Sequence, residues 1–72
     1  MAPSPWKVAY RAAALEPDNA LLEKRISAAR ALMTSRLIEL ISAQKNIGEI
    51  RAIQKALRIL AEISWERLGR AA

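Results

Sequence analysis

The chain has 72 residues, 53% of them hydrophobic and 26% charged, with 12 Lys and Arg against 7 Asp and Glu for a formal charge of +5, and it contains neither cysteine nor histidine. Without cysteine there is no disulfide, thiolate metal site or thiol nucleophile; without histidine the commonest general base and metal ligand are missing. A domain this small buries a modest share of its surface and usually needs a disulfide, a metal or a partner subunit for security, and of these the composition leaves chiefly the partner.

The carboxylates Glu16, Asp18, Glu23, Glu39, Glu49, Glu62 and Glu66 are mostly separated by basic residues or full helical turns. They resemble neither a calcium loop nor a paired acid and base. No catalytic residue, metal ligand or cofactor is therefore expected, and no enzymatic activity. The opening MAPSPWKVAYRAAA, with prolines at 3 and 5, lacks the basic start and apolar run of a secretory signal. Lys or Arg recurs too often for a stretch of about 18 apolar residues that could span a membrane. The expectation is a soluble, cytoplasmic protein without membrane association.

The excess charge invites a nucleic-acid or anionic-membrane reading, yet it is spread along the chain. Residues 1 to 20 are neutral. Lys24, Arg25, Arg30, Arg36 and Lys45 outnumber Glu23 and Glu39 in the next segment, and residues 46 to 72 carry a smaller excess. No block or tail concentrates it.

Taken in chain order, Ala, Leu, Ile, Arg and Glu dominate and phenylalanine is absent, a composition suited to helices. Ser4 before Pro5 reads as an N-cap with proline at the first helical position, predicting a helix over about 5–15 that presents Trp6, Ala9, Tyr10 and Ala13 along one side. Pro17 stops it, and Asp18 or Asn19 caps the next. From there to about Gln44, Leu22, Ile26, Ala29, Met33, Leu37 and Leu40 recur at spacings of three and four, the apolar stripe of a helix roughly 37 Å long. In QKNIGE, Asn46 and Glu49 have the spacing of a capping box, and Gly48 is expected to loosen the connection. A third helix is predicted over about 47–68. Because the link is short, the two long helices are expected to fold back as an antiparallel hairpin.

The last helix carries two apolar stripes. Ile50, Ile53, Leu57, Leu60, Ser64 and Leu68 form one, expected to pack on the preceding helix; Ala52, Ala56, Ile59 and Ile63 lie roughly 100–120° around from it. Arg51, Lys55, Arg58, Glu62 and Glu66 remain for the wet side. One hairpin cannot cover both stripes, so either the short first helix or a second copy of the chain must cover the second.

The stretch YRAAALEPDN has the Tyr, small residue, Leu and Pro-Asp pattern of the second helix and turn of a tetratricopeptide repeat. Shifting by that repeat's period of about 34 residues maps Tyr10 to Gln44, Ala14 to Gly48 and Pro17 to Arg51, which excludes a repeat. Over a wider span, Trp6, Tyr10, Leu15-Glu16, Asp18, Leu22, Arg25-Ile26, Ala29, Leu32 or Met33, Arg36 and Glu39-Leu40 resemble a group of small bacterial proteins of the form WxxxYxAALLExDxxxLxxRIxxAxxAIxxRxxEL. The resemblance covers about residues 6–40 and implies a small α-helical bacterial protein, with no activity attached. The chain departs from the pattern where Ala14 replaces a leucine and Pro17 precedes the aspartate.

The overall expectation is an all-α protein: a short N-terminal helix, then a hairpin of two long helices that dimerises into a four-helix bundle and serves as a non-enzymatic interaction or adaptor module. Ala52, Ala56, Ile59, Ile63, Trp65 and Ile38 are the candidate oligomer or partner interface. The alternative is a small RNA- or DNA-binding bundle with contacts through Arg51, Lys55 and Arg58, a cluster equally readable as a solvated helix face.

Overall fold

The computed structural model describes residues 4–69, which form three α-helices and no strand: α1 (Pro5–Leu15), α2 (Asn19–Ala43) and α3 (Ile47–Leu68). The bounds follow local chemistry. Ser4 is extended at φ −61° and ψ 139°, and Pro5 opens α1 with a pre-set φ. The Ser4 side chain makes no capping bond; its carbonyl instead accepts from the Lys7 and Val8 amides at 3.0 and 3.2 Å. Pro17 ends α1, and Asp18 caps α2 by accepting from the Ala20 amide at 2.8 Å.

The connection from α2 to α3 is closed differently from the sequence expectation. Gln44, at φ 52°, and Asn46, at φ 59°, take the left-handed conformation that turns the chain, whereas Gly48 lies within the first turn of α3. Asparagine tolerates this region because its short amide bonds locally: Oδ1 accepts from the Glu49 amide at 3.2 Å, and Nδ2 donates to Glu49 Oε1 at 3.1 Å. The capping box is thus present in altered form, with the glutamate returning to the cap's side chain.

The core follows the helical stripes. Leu22, Ile26, Ala29, Met33 and Leu40 of α2 meet Ile53 and Leu60 of α3 and Trp6 and Ala13 of α1, with Ala9, Tyr10, Leu37, Ile50, Leu57, Ile63 and Leu68 packed around them. Ala13 and Ala29 are fully buried, and small side chains there let helix backbones approach closely. The longest dimension is 36 Å, about that of α2 alone at 1.5 Å per residue. α1 packs mainly on α2 and also touches α3. It partly covers the second stripe of α3: Ala56 is buried, Ile59 and Ile63 are half-buried, and only Ala52 stays exposed.

Two substitutions test the helix ends by urea denaturation. Asp18→Ala should cost about 1 kcal/mol through the lost cap. Gln44→Gly should stabilise by up to about 1 kcal/mol, because an L-residue in the left-handed region costs roughly 1–2 kcal/mol and glycine's extra unfolded-chain entropy offsets about 0.4–1 kcal/mol of the relief. A destabilising Gln44→Gly would show that strain at this turn is not what the substitution relieves.

Candidate functional site

Two polar clasps tie the helix ends together. At one, the Glu49 carboxylate accepts from Trp6 Nε1 at 3.0 Å, from Arg36 Nε at 2.8 Å and Nη2 at 3.2 Å, and from the Asn46 amide. Arg36 also donates to Glu39 at 3.1 Å. The Glu49 side chain is only 13% exposed, and Trp6 is buried beneath the Lys7 ammonium, which lies 5.8 Å from the indole centroid. The Arg36 bonds foremost, then the Trp6 bond, hold the Glu49 carboxyl below the usual carboxylate range, against the opposing effect of desolvation. Such a group is ionised at neutral pH, and both its oxygens are engaged. It positions helices and is poorly placed to transfer protons.

At the other end, Arg67 donates to the Glu16 and Pro17 carbonyls and to Asn19 Oδ1 at 2.7 Å, while Asn19 Nδ2 returns a bond to the Arg67 carbonyl at 3.3 Å. The proline break strands carbonyls at the end of α1, and Arg67 supplies donors to them. Glu16 Oε1 accepts from Arg25 at 3.3 Å, and its Oε2 accepts from the Asp18 amide at 3.3 Å. Sequence reasoning missed Arg67, although a signal exists: it follows Leu60 and Ser64 at spacings of four and three, on the register of the core row, where an arginine must find acceptors. It also missed the convergence of Trp6 and Arg36 on Glu49, which no local spacing reveals.

Three surfaces among the described residues bear on the candidate residues. The first is a groove of about 480 Å³ between α1 and α3, walled by Trp6, Tyr10, Ala14 and Leu15 on one side and by Ala52, Ala56 and Ile59 on the other, with Lys7, Arg11 and Lys55 completing its lining. None of the described residues that line it is acidic. Arg51 and Arg58 continue the basic row on exposed α3 beside Lys55. The second is the face of α2 turned away from its neighbours, where Ile38 is 60% and Ile41 55% exposed. The third is a shallow recess of Arg58, Ala61, Glu62, Trp65 and Glu66, with Trp65 exposed.

The candidate interface residues are therefore not one patch. Ala52, Ala56 and Ile59 share the groove, Ile63 turns toward the core, Trp65 belongs to the recess, and Ile38 lies on another helix. Arg51, Lys55 and Arg58 stand together and exposed. Among the described residues, no three His, Cys, Asp or Glu side chains converge as a metal site, and no helix is long and apolar enough to cross a membrane. No protein-family model, curated protein or solved structure matches the chain.

The Glu49 clasp makes a pH prediction. Its carboxyl pKa is lower in the folded than in the unfolded chain, where it is about 4.3; its stabilising effect is present above that value and lost as pH falls through the lowered folded one. Glu49→Gln should melt several degrees below the parent at pH 7, at about 4–8 °C per kcal/mol for a domain of this size. The gap should narrow in strong acid, where parent Glu49 is itself neutral. Thermal unfolding across pH checks this, and a gap independent of pH would remove the ionised clasp as its cause.

Proposed function

We propose that this chain is a non-enzymatic helical interaction protein in which α2 and α3 form an antiparallel hairpin, braced by α1, that self-associates as a homodimer. The observation that carries this reading is the outer row of α2. Ala31, Thr34, Ile38 and Ile41 are all exposed and follow one another at spacings of three, four and three, the seam of a two-helix pairing. Two copies meeting along this row bring four long helices together and withdraw four isoleucines from water. Pairing is assigned to α2 rather than to the second stripe of α3 because Ala56 is buried, Ile59 and Ile63 are half-buried, and what remains of the stripe lies in a groove lined by Lys7, Arg11 and Lys55, where a second copy would meet like charge.

Magnitudes indicate a weak dimer. Complete burial of an isoleucine contributes about 1.5–3 kcal/mol, and Ile38 and Ile41 are only 60% and 55% exposed to begin with, so the four together reach only the lower part of the roughly 4–15 kcal/mol cost of association. The isoleucines therefore roughly balance that cost without exceeding it, and reversible assembly is expected only at high protein concentration, toward the millimolar range. The nucleic-acid alternative has the exposed cluster of Arg51, Lys55 and Arg58 in its favour but lacks a stacking platform beside it: Trp6 is buried, Tyr10 is half-buried, and Trp65 lies among Glu62 and Glu66.

Size-exclusion chromatography with light scattering, run over a concentration series into the millimolar range, tests the dimer. The parent should move from monomer to dimer, and Ile38→Asp with Ile41→Asp should remain monomeric with an unchanged helical circular dichroism spectrum. A parent that is monomeric throughout, or a variant that still dimerises, overturns pairing through α2.

A further inference from the structure

We propose that the groove between α1 and α3 is a receptor site for an acidic amphipathic helix of a partner protein. The proposal does not rest on self-association, which uses a different surface.

Shape sets the class of occupant. The walls run from Trp6 to Leu15 on α1 and from Ala52 to Ile59 on α3, about two helical turns or 10–14 Å at 1.5 Å per residue. A helix laid along two turns presents apolar side chains at i, i+3 or i+4, and i+7. Ala14, Ala52 and Ala56 keep the groove's walls low, so a foreign backbone can come close. Leu15, 74% exposed, leaves an apolar edge that such a helix would cover.

Charge sets the partner's chemistry. Lys7 and Arg11 border the groove from α1 and Lys55 from α3, and none of the described lining residues is acidic. A helix with apolar anchors and Asp or Glu on its flanks would place carboxylates against both rims, where such complementarity steers encounter and fixes orientation. A second copy of this chain is a poor occupant, because symmetric pairing of two grooves would set the same cations face to face. Nucleic acid is disfavoured as well: of the groove's two aromatic side chains Trp6 is buried and bonded through Nε1 to Glu49 and Tyr10 is half-buried, leaving little for base stacking.

The probe is a synthetic fluorescein-labelled peptide of about 18 residues with Leu at i, i+3, i+4 and i+7 spacings and Glu on both flanks. Binding to the full chain is followed by fluorescence anisotropy and by amide chemical shifts. The parent should bind it, more weakly as salt rises, with shifts centred on Tyr10, Ala52 and Ile59. Arg11→Glu with Lys55→Glu should weaken binding by at least about tenfold and gain binding to the same peptide carrying Lys for Glu. Both positions are exposed, so circular dichroism should show an unchanged fold, and light scattering an unchanged self-association. Three results would overturn the proposal: equal binding of a sequence-scrambled peptide, charge reversal without effect, or shifts confined to the Ile38 face of α2. Displacement of the peptide at equal salt by a hairpin RNA or by vesicles of anionic lipid that bind more tightly would assign the groove to another ligand.

Discussion

The Glu49 carboxylate is the constraint on which the rest of the arrangement depends. It gathers donors from three parts of the chain that are remote from or merely adjacent to it in sequence: the indole of Trp6 in α1, the guanidinium of Arg36 in α2 and the amide of Asn46 in the turn before α3. Helix packing alone is tolerant of rotation and sliding, because dispersion and apolar burial are non-directional. Hydrogen bonds to a largely buried carboxylate are directional and charge-assisted, so they set the position of α1 against the two long helices. The Arg67 bonds to the Glu16 and Pro17 carbonyls secure the other end of α1.

Fixing α1 has a second effect, on charge. The clasps engage Glu16, Glu39 and Glu49 with Arg25 and Arg36. Lys7 and Arg11 of α1 are then brought beside Lys55 of α3, next to Arg51 and Arg58. Three cations that are far apart along the chain, Lys7, Arg11 and Lys55, thereby come to line one apolar groove. The groove and the outer row of α2 are separate surfaces.

Many of the residues between positions 6 and 40 have architectural roles here. Trp6 and Arg36 meet Glu49, Glu16 meets Arg25, Asp18 caps α2, and Leu22, Ile26, Ala29 and Leu40 fill the core. Such a pattern is what three mutually dependent helices require of their sequence.

Helix content and helix ends were legible because their causes are local: the Ser4-Pro5 start, the Pro17 break with its Asp18 cap, and the three-and-four spacing from Leu22 to Leu40 each act within a turn or two. The two-striped character of α3 was legible for the same reason. Which cover the second stripe receives was not, because it depends on where α1 lies, and that depends on bonds from Glu49 to residues 13 and 43 positions away. The turn conformation at Gln44 and Asn46 escaped sequence reasoning because glycine is the usual left-handed residue and Gly48 stood nearby. Sequence by itself determined the three helices and their apolar faces, since backbone propensity, capping and periodicity are properties of neighbours along the chain. Only the tertiary structure decided that Arg67 is a clasp, that Ala56 is covered and that the cations of α1 and α3 share one groove, since these are properties of residues brought together from far apart.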